Sequence, residues 1–148
     1  MRLSSTPTLF LAPIAATLLA GSPVLQAHEC SLRGVAGTYG YTSIGSIVTP
    51  ISGPFATLGR VAFSDGGTFA GTQTTSIAGT LVNETVQGTF AVNPDCTGTA
   101  TVSVFHGGVL ARTTQLDLLW DDEEQEVRAI FLTAGTAITI SGRRIARR

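Results

Sequence analysis

The chain has 148 residues, nine arginines, no lysine and ten acidic residues, for a formal net charge of −1. That length allows one ordinary domain rather than two. A near-neutral chain without a basic stripe lacks the electrostatic footprint of a nucleic-acid binder.

The first 27 residues read as an export signal. Met1 and Arg2 give a positive start, Leu9 to Ala20 is apolar around Pro13, and Val24-Leu25-Gln26-Ala27 precedes a cut. The apolar run is broken by Gly21, Ser22 and Pro23 and falls short of the roughly 20 residues a spanning helix needs. Cys30 follows Glu29 rather than a small residue, so no lipid anchor is expected. Cleavage leaves residues 28–148 as a single secreted or periplasmic domain with no membrane span.

In an oxidising compartment Cys30 and Cys96 allow one intramolecular pairing. The bond would close a loop of about 65 residues, worth about 4 kcal/mol on a chain-entropy argument. No metal site or cofactor is expected, since only His28 and His106 stand beside the cysteines as ligands of that kind.

Val35 to Ile44 alternates as a first strand, with Val35, Gly37, Tyr39 and Tyr41 on one face. Two prolines and two glycines make Gly45 to Pro54 a loop. Strands follow over Phe55 to Ser64, ended by Asp65-Gly66-Gly67, and over Thr68 to Ile77. Ala78-Gly79 then turns into a long strand reaching Val92. Asn93-Pro94-Asp95 closes it, since proline cannot donate to a central ladder. Gly98 to Phe105 is the fifth strand and His106-Gly107-Gly108 its turn. In the sixth, Val109 to Trp120, one face carries Leu110, Arg112, Thr114, Leu116, Leu118 and Trp120.

The acidic run Asp121, Asp122, Glu123, Glu124 and Glu126 reads as a solvated turn. The seventh strand, Glu126 to Thr133, has Val127, Ala129 and Phe131 on one face and Ile130 and Leu132 on the other, as if covered on both sides. The eighth, Thr136 to Gly142, puts Ile138 and Ile140 together. Arg143, Arg144, Arg147 and Arg148 read as a solvated basic tail. No helical period occurs after the signal.

About eight antiparallel strands with short connections predict an all-β, up-and-down meander. Closure into a β-barrel removes the open edges, a two-sheet β-sandwich being the alternative. Glycines within strands fit the bent strands of a small barrel. A membrane barrel would need an apolar outer band with aromatic girdles, which strands rich in Thr, Gly and Ala do not supply. An eight-stranded barrel is either filled by side chains or holds one small ligand.

Gly59-Arg60-Val61-Ala62-Phe63, Asp65-Gly66-Gly67-Thr68-Phe69, Gly88-Thr89-Phe90-Ala91-Val92 and Asp95-Cys96-Thr97-Gly98-Thr99-Ala100-Thr101 resemble segments of a group of small secreted bacterial proteins of unassigned function. In strand layout that group is similar to calycin and allene-oxide-cyclase-like barrels. The likeness implies a carrier of apolar small molecules, or an isomerase or cyclase acting on them. These are strand and turn motifs and carry over no catalytic residue.

No Gly-x-Ser-x-Gly elbow or phosphate loop is present, so a serine hydrolase or nucleotide site is not expected. Asn83-Glu84-Thr85 matches a glycosylation pattern. Parity singles out Glu84, alternating with Val82, Val86 and Phe90, and Arg112, alternating with Leu116, Leu118 and Trp120. Inside a barrel they would pair and perturb one another, with Tyr39 and Tyr41 as hydroxyl donors. The candidate ligand-binding residues are therefore Tyr39, Tyr41, Glu84, Arg112 and Trp120. The leading expectation is an interior site for a small, largely apolar molecule. An isomerase using Glu84, Tyr39 or Tyr41 to move a proton, and a ligand-free envelope protein, are the alternatives.

Overall fold

The structure is a computed structural model and describes residues 28–49, 52–121 and 123–146. The expected export signal, Asp122, Arg147 and Arg148 lie outside those residues. Among the described residues, no helix is long and apolar enough to cross a membrane.

One helical turn, α1 (Leu32–Val35), precedes β1 (Gly37–Ile47), β2 (Gly53–Phe63), β3 (Thr68–Ile77), β4 (Thr80–Val92), β5 (Thr97–His106), β6 (Val109–Asp121), β7 (Glu126–Phe131) and β8 (Thr136–Ala146). Each strand pairs antiparallel with the next, and β8 returns to β1 through pairs such as Tyr41 with Gly142 and Ile47 with Thr136. The sheet is a closed up-and-down barrel, as the alternation and short turns predict. Two-residue hairpins at Ala78-Gly79 and Gly107-Gly108 have positive φ at both positions, the mirror-image turn whose twist matches paired strands.

Inward side chains alternate with outward ones along every strand. Aromatic rings fill the end that α1 covers. Phe63 is the hub, with ring centroids 4.8 Å from Phe90, 5.4 Å from Tyr39, 5.5 Å from Phe69 and 6.3 Å from Trp120. Leu32 packs onto this cluster, and the fully buried Val35 belongs to it. The rings fit because inward glycines stand beside them. A Cβ on Gly88 would lie 2.7 Å from Phe69 Cζ, and one on Gly98 would lie 2.8 Å from Trp120 Cζ3. Those same Cβ atoms would fall 1.9 and 2.2 Å from backbone oxygens of the neighbouring strand, so the strands are also bent there.

Several expectations need correction. Leu32–Val35 is helical, so the first strand begins at Gly37; Ser31 caps the turn by accepting from the Gly34 amide at 3.0 Å. The predicted loop Gly45 to Pro54 is shorter, since β1 runs to Ile47 and Pro54 sits near the start of β2, opposite Ser46, where a missing donor is tolerated. Strand β7 stops at Phe131 while β8 continues to Ala146. The outer face of that region is not covered, leaving Ile130 and Leu132 about half exposed. Leu110 does not share the inner face of β6, because the register shifts between Val104 and Phe105 and turns it outward.

The charged segments beside the α1 end also differ from solvated termini. Glu124 is buried, its carboxylate accepting from the Ser31 amide at 3.1 Å, in space that exists because residue 34 is glycine. Arg144 lies in β8 and donates to the Tyr39 hydroxyl at 2.8 Å and to the Gly34 carbonyl at 2.5 Å. Cys30 and Cys96 form the disulfide, with a Cα separation of 4.9 Å. It ties the segment before α1 to the β4–β5 turn, where the Cys30 amide also donates to the Pro94 carbonyl.

Candidate functional site

A cavity of about 80 Å³ runs inside the barrel. Phe63, Phe69, Val86, Val102 and Leu118 contribute apolar lining, while Tyr41, Ser43, Thr57, Gln73, Arg112 and Thr114 contribute polar groups. Ligand pockets for drug-sized molecules run to about 300 Å³ or more. A dry engineered cavity that takes up benzene is about 150 Å³. The space here suits a molecule of a few heavy atoms.

The polar groups come from alternate inward positions on strands β1, β2, β3, β4 and β6. Arg112 reaches across β5 to Glu84 on β4, its Nη1 donating to Oε1 at 2.5 Å and its Nη2 to Oε2 at 2.8 Å. Oε2 also accepts from Gln73 Nε2 and from Thr75 Oγ1, each at 2.7 Å. Tyr41 Oη donates to Gln73 Oε1 at 2.5 Å, and Thr57 and Thr75 share a hydroxyl contact at 3.2 Å. The Glu84 side chain is 2% exposed and that of Arg112 31%, so the carboxylate is interior and the guanidinium partly solvated. Gly59 makes room for Tyr41, since a Cβ there would lie 2.4 Å from the ring.

This geometry sets the titration of both groups. Burial pushes the Glu84 carboxyl up, but hydrogen bonds from Arg112, Gln73 and Thr75, with the guanidinium charge, outweigh it and hold the carboxyl below its ordinary value. Burial and the neighbouring Glu84 charge raise the Tyr41 phenol well above its ordinary range, against a smaller lowering by Arg112. A carboxylate held ionised by a guanidinium and two further donors is a weak base. A phenol so hard to ionise is a weak acid near neutrality.

Of the five expected ligand-binding residues, Tyr41 and Arg112 line the cavity and Glu84 stands directly behind them. Tyr39 and Trp120 do not join this group. Both belong to the aromatic cluster under α1, where Tyr39 Oη donates to the Glu124 carbonyl at 2.7 Å. Trp120 is 1% exposed there and its indole N–H lacks a partner among the described residues. Sequence reasoning missed Ser43, Thr57, Gln73 and Thr75. Parity was the available signal, since Ser43 shares the face of Tyr41, and Gln73 and Thr75 that of Phe69.

His28, Cys30 and Glu124 bring a ring nitrogen, a sulfur and a carboxylate within 4.8 Å of one another. The sulfur is bonded to Cys96, leaving His28 Nε2 and Glu124 Oε1, 3.6 Å apart, as a two-donor set. Structural and catalytic zinc sites use at least three protein ligands. In comparison with known proteins, no family model and no curated protein matches this chain.

Proposed function

We propose that the barrel is an exported carrier that holds a small, largely apolar molecule in its interior. The observation that carries this reading is an apolar cavity closed at one end by aromatic rings and bordered by a cluster of hydrogen-bonded polar side chains. Apolar walls with a few fixed polar groups are the usual composition of a small-molecule site. The disulfide supports an oxidising compartment, and the amino-terminal sequence supports export to it. The eight-strand layout supports the calycin-like resemblance at the level of architecture alone. The isomerase alternative draws less support, because Glu84 and Tyr41 are committed to each other's neighbours and Tyr39 lies in the closed end.

Native mass spectrometry of the protein secreted by an exporting host tests this. The expected result is an added mass that leaves on denaturation, together with perturbation of the Val86, Val102 and Leu118 methyl signals when xenon or pentane is added. A bare protein whose interior methyls respond to neither probe would overturn the carrier and favour a packed envelope protein.

A further inference from the structure

Within the proposed interior site, the wall specifies which end group a ligand carries. A carboxylate has about four acceptor positions. That of Glu84 accepts from four donors, Arg112 Nη1 on Oε1, and Arg112 Nη2, Gln73 Nε2 and Thr75 Oγ1 on Oε2. The Arg112 charge is balanced by the same contact, and the Tyr41 hydroxyl proton is directed at Gln73. Thr114 pairs with Thr133 at 2.5 Å. Ser43 stands apart. It is 3% exposed, it lines the cavity, and none of the side-chain hydrogen bonds among the described residues involves its hydroxyl. That hydroxyl opens onto the cavity, so an oxygen on a ligand would gain a hydrogen bond there worth about 0.5–1.5 kcal/mol.

We propose that the cavity takes a small uncharged molecule bearing an alcohol or carbonyl oxygen, with that oxygen on Ser43 Oγ and its alkyl part against Val86, Val102 and Leu118. A carboxylate ligand would be desolvated beside Glu84 while the nearby guanidinium is already neutralised. An ammonium would have to share the Glu84 carboxylate with Arg112, whose charge already balances it. The cavity of about 80 Å³ limits the ligand to a few heavy atoms unless the wall moves.

This inference rests on the carrier reading, and one experiment separates the two. The full exported chain is titrated at pH 7 with pentane, 1-butanol, propionate and n-butylammonium, followed by methyl NMR, and the series is repeated on Ser43→Ala. Folding of the variant is checked by its amide spectrum, and Ser43→Cys, close in volume with a weaker donor, serves if the alanine variant is unfolded. The expected result is that 1-butanol binds at least about tenfold tighter than either ion. Loss of one hydrogen bond should weaken 1-butanol about fivefold in the variant and leave pentane unchanged. If either ion binds as well as the alcohol, or the variant leaves the alcohol-to-pentane ratio unaltered, the end-group assignment fails while the interior site stands. If not even pentane enters, the carrier itself fails.

Discussion

Arg112→Met is the most informative single perturbation of this barrel. It keeps much of the aliphatic stem and removes the charge and both hydrogen bonds to Glu84. The carboxylate then keeps Gln73 and Thr75 but has lost its counter-charge in a position where its side chain is 2% exposed. Removing one partner of a buried pair costs about 3–5 kcal/mol. Because the Arg112 side chain is 31% exposed, part of that interaction is already screened by water, and about 2–4 kcal/mol is expected at pH 7.

The pH dependence distinguishes a stranded charge from simple loss of packing. In the wild type the folded-state carboxyl lies below its unfolded value, so its stabilisation is present above the unfolded value and is lost as pH falls through the folded one. In Arg112→Met, burial dominates and the folded value rises above the unfolded one. The variant's penalty is then absent in acid and grows as pH rises from the unfolded value through the raised folded value. The difference between the two proteins should therefore be largest near neutrality and shrink below about pH 4. Urea unfolding from pH 3 to pH 8 measures it. A penalty that stays constant over that range, or one below about 1 kcal/mol at pH 7, would refute the assignment of Glu84 as an interior ion held by Arg112. The double variant Glu84→Gln, Arg112→Met should recover at least about half of the loss, because no charge is then left inside.

Replacing Cys30 and Cys96 together by serine should cost about 4 kcal/mol and lower the calorimetric Tm by roughly 10–20 °C, with the far-ultraviolet β signal retained in the cold. Gly59→Ala places a methyl group 2.4 Å from Tyr41 Cζ. It should cost about 1–3 kcal/mol in chemical denaturation, and pairing it with Tyr41→Leu should recover most of that loss. Ultraviolet titration should show one tyrosine, absent from Tyr41→Phe, that stays protonated well above the ordinary range; since the folded phenol is raised, its stabilisation is lost as pH climbs above the unfolded value near 10.

Strand existence and turn positions were legible because period-two alternation broken by Gly, Asn and Pro has few other solutions. The Glu84–Arg112 pair was legible for the same reason, as parity alone turned both side chains inward. Parity gives the face of a strand but not the height of a residue along the barrel, which depends on the stagger between neighbouring strands. Tyr39 and Trp120 therefore read as companions of Arg112, although register carries them to the opposite end. The α1 turn has four residues, too few to show a helical period, and only the Ser31 cap marks it. Glu124 was hidden by composition, since an acid among four others reads as solvated. Its burial depends on the amide of Ser31 and the bare Cα of Gly34, far away in sequence.

The two charged clusters do different physical work, and that bears on where a ligand can act. Arg144, Tyr39 and Glu124 clamp α1 over the aromatic rings, joining chain segments more than 80 residues apart in sequence and closing that end of the barrel. Glu84, Arg112, Gln73 and Thr75 join β3, β4 and β6, with Tyr41 and Thr57 adding β1 and β2, toward the end with the Ala78-Gly79 and Gly107-Gly108 hairpins. A partly solvated guanidinium can exchange its contacts with water far more readily than buried rings can part. On the proposed carrier reading, a ligand should therefore exchange past Arg112 and leave the α1 end undisturbed.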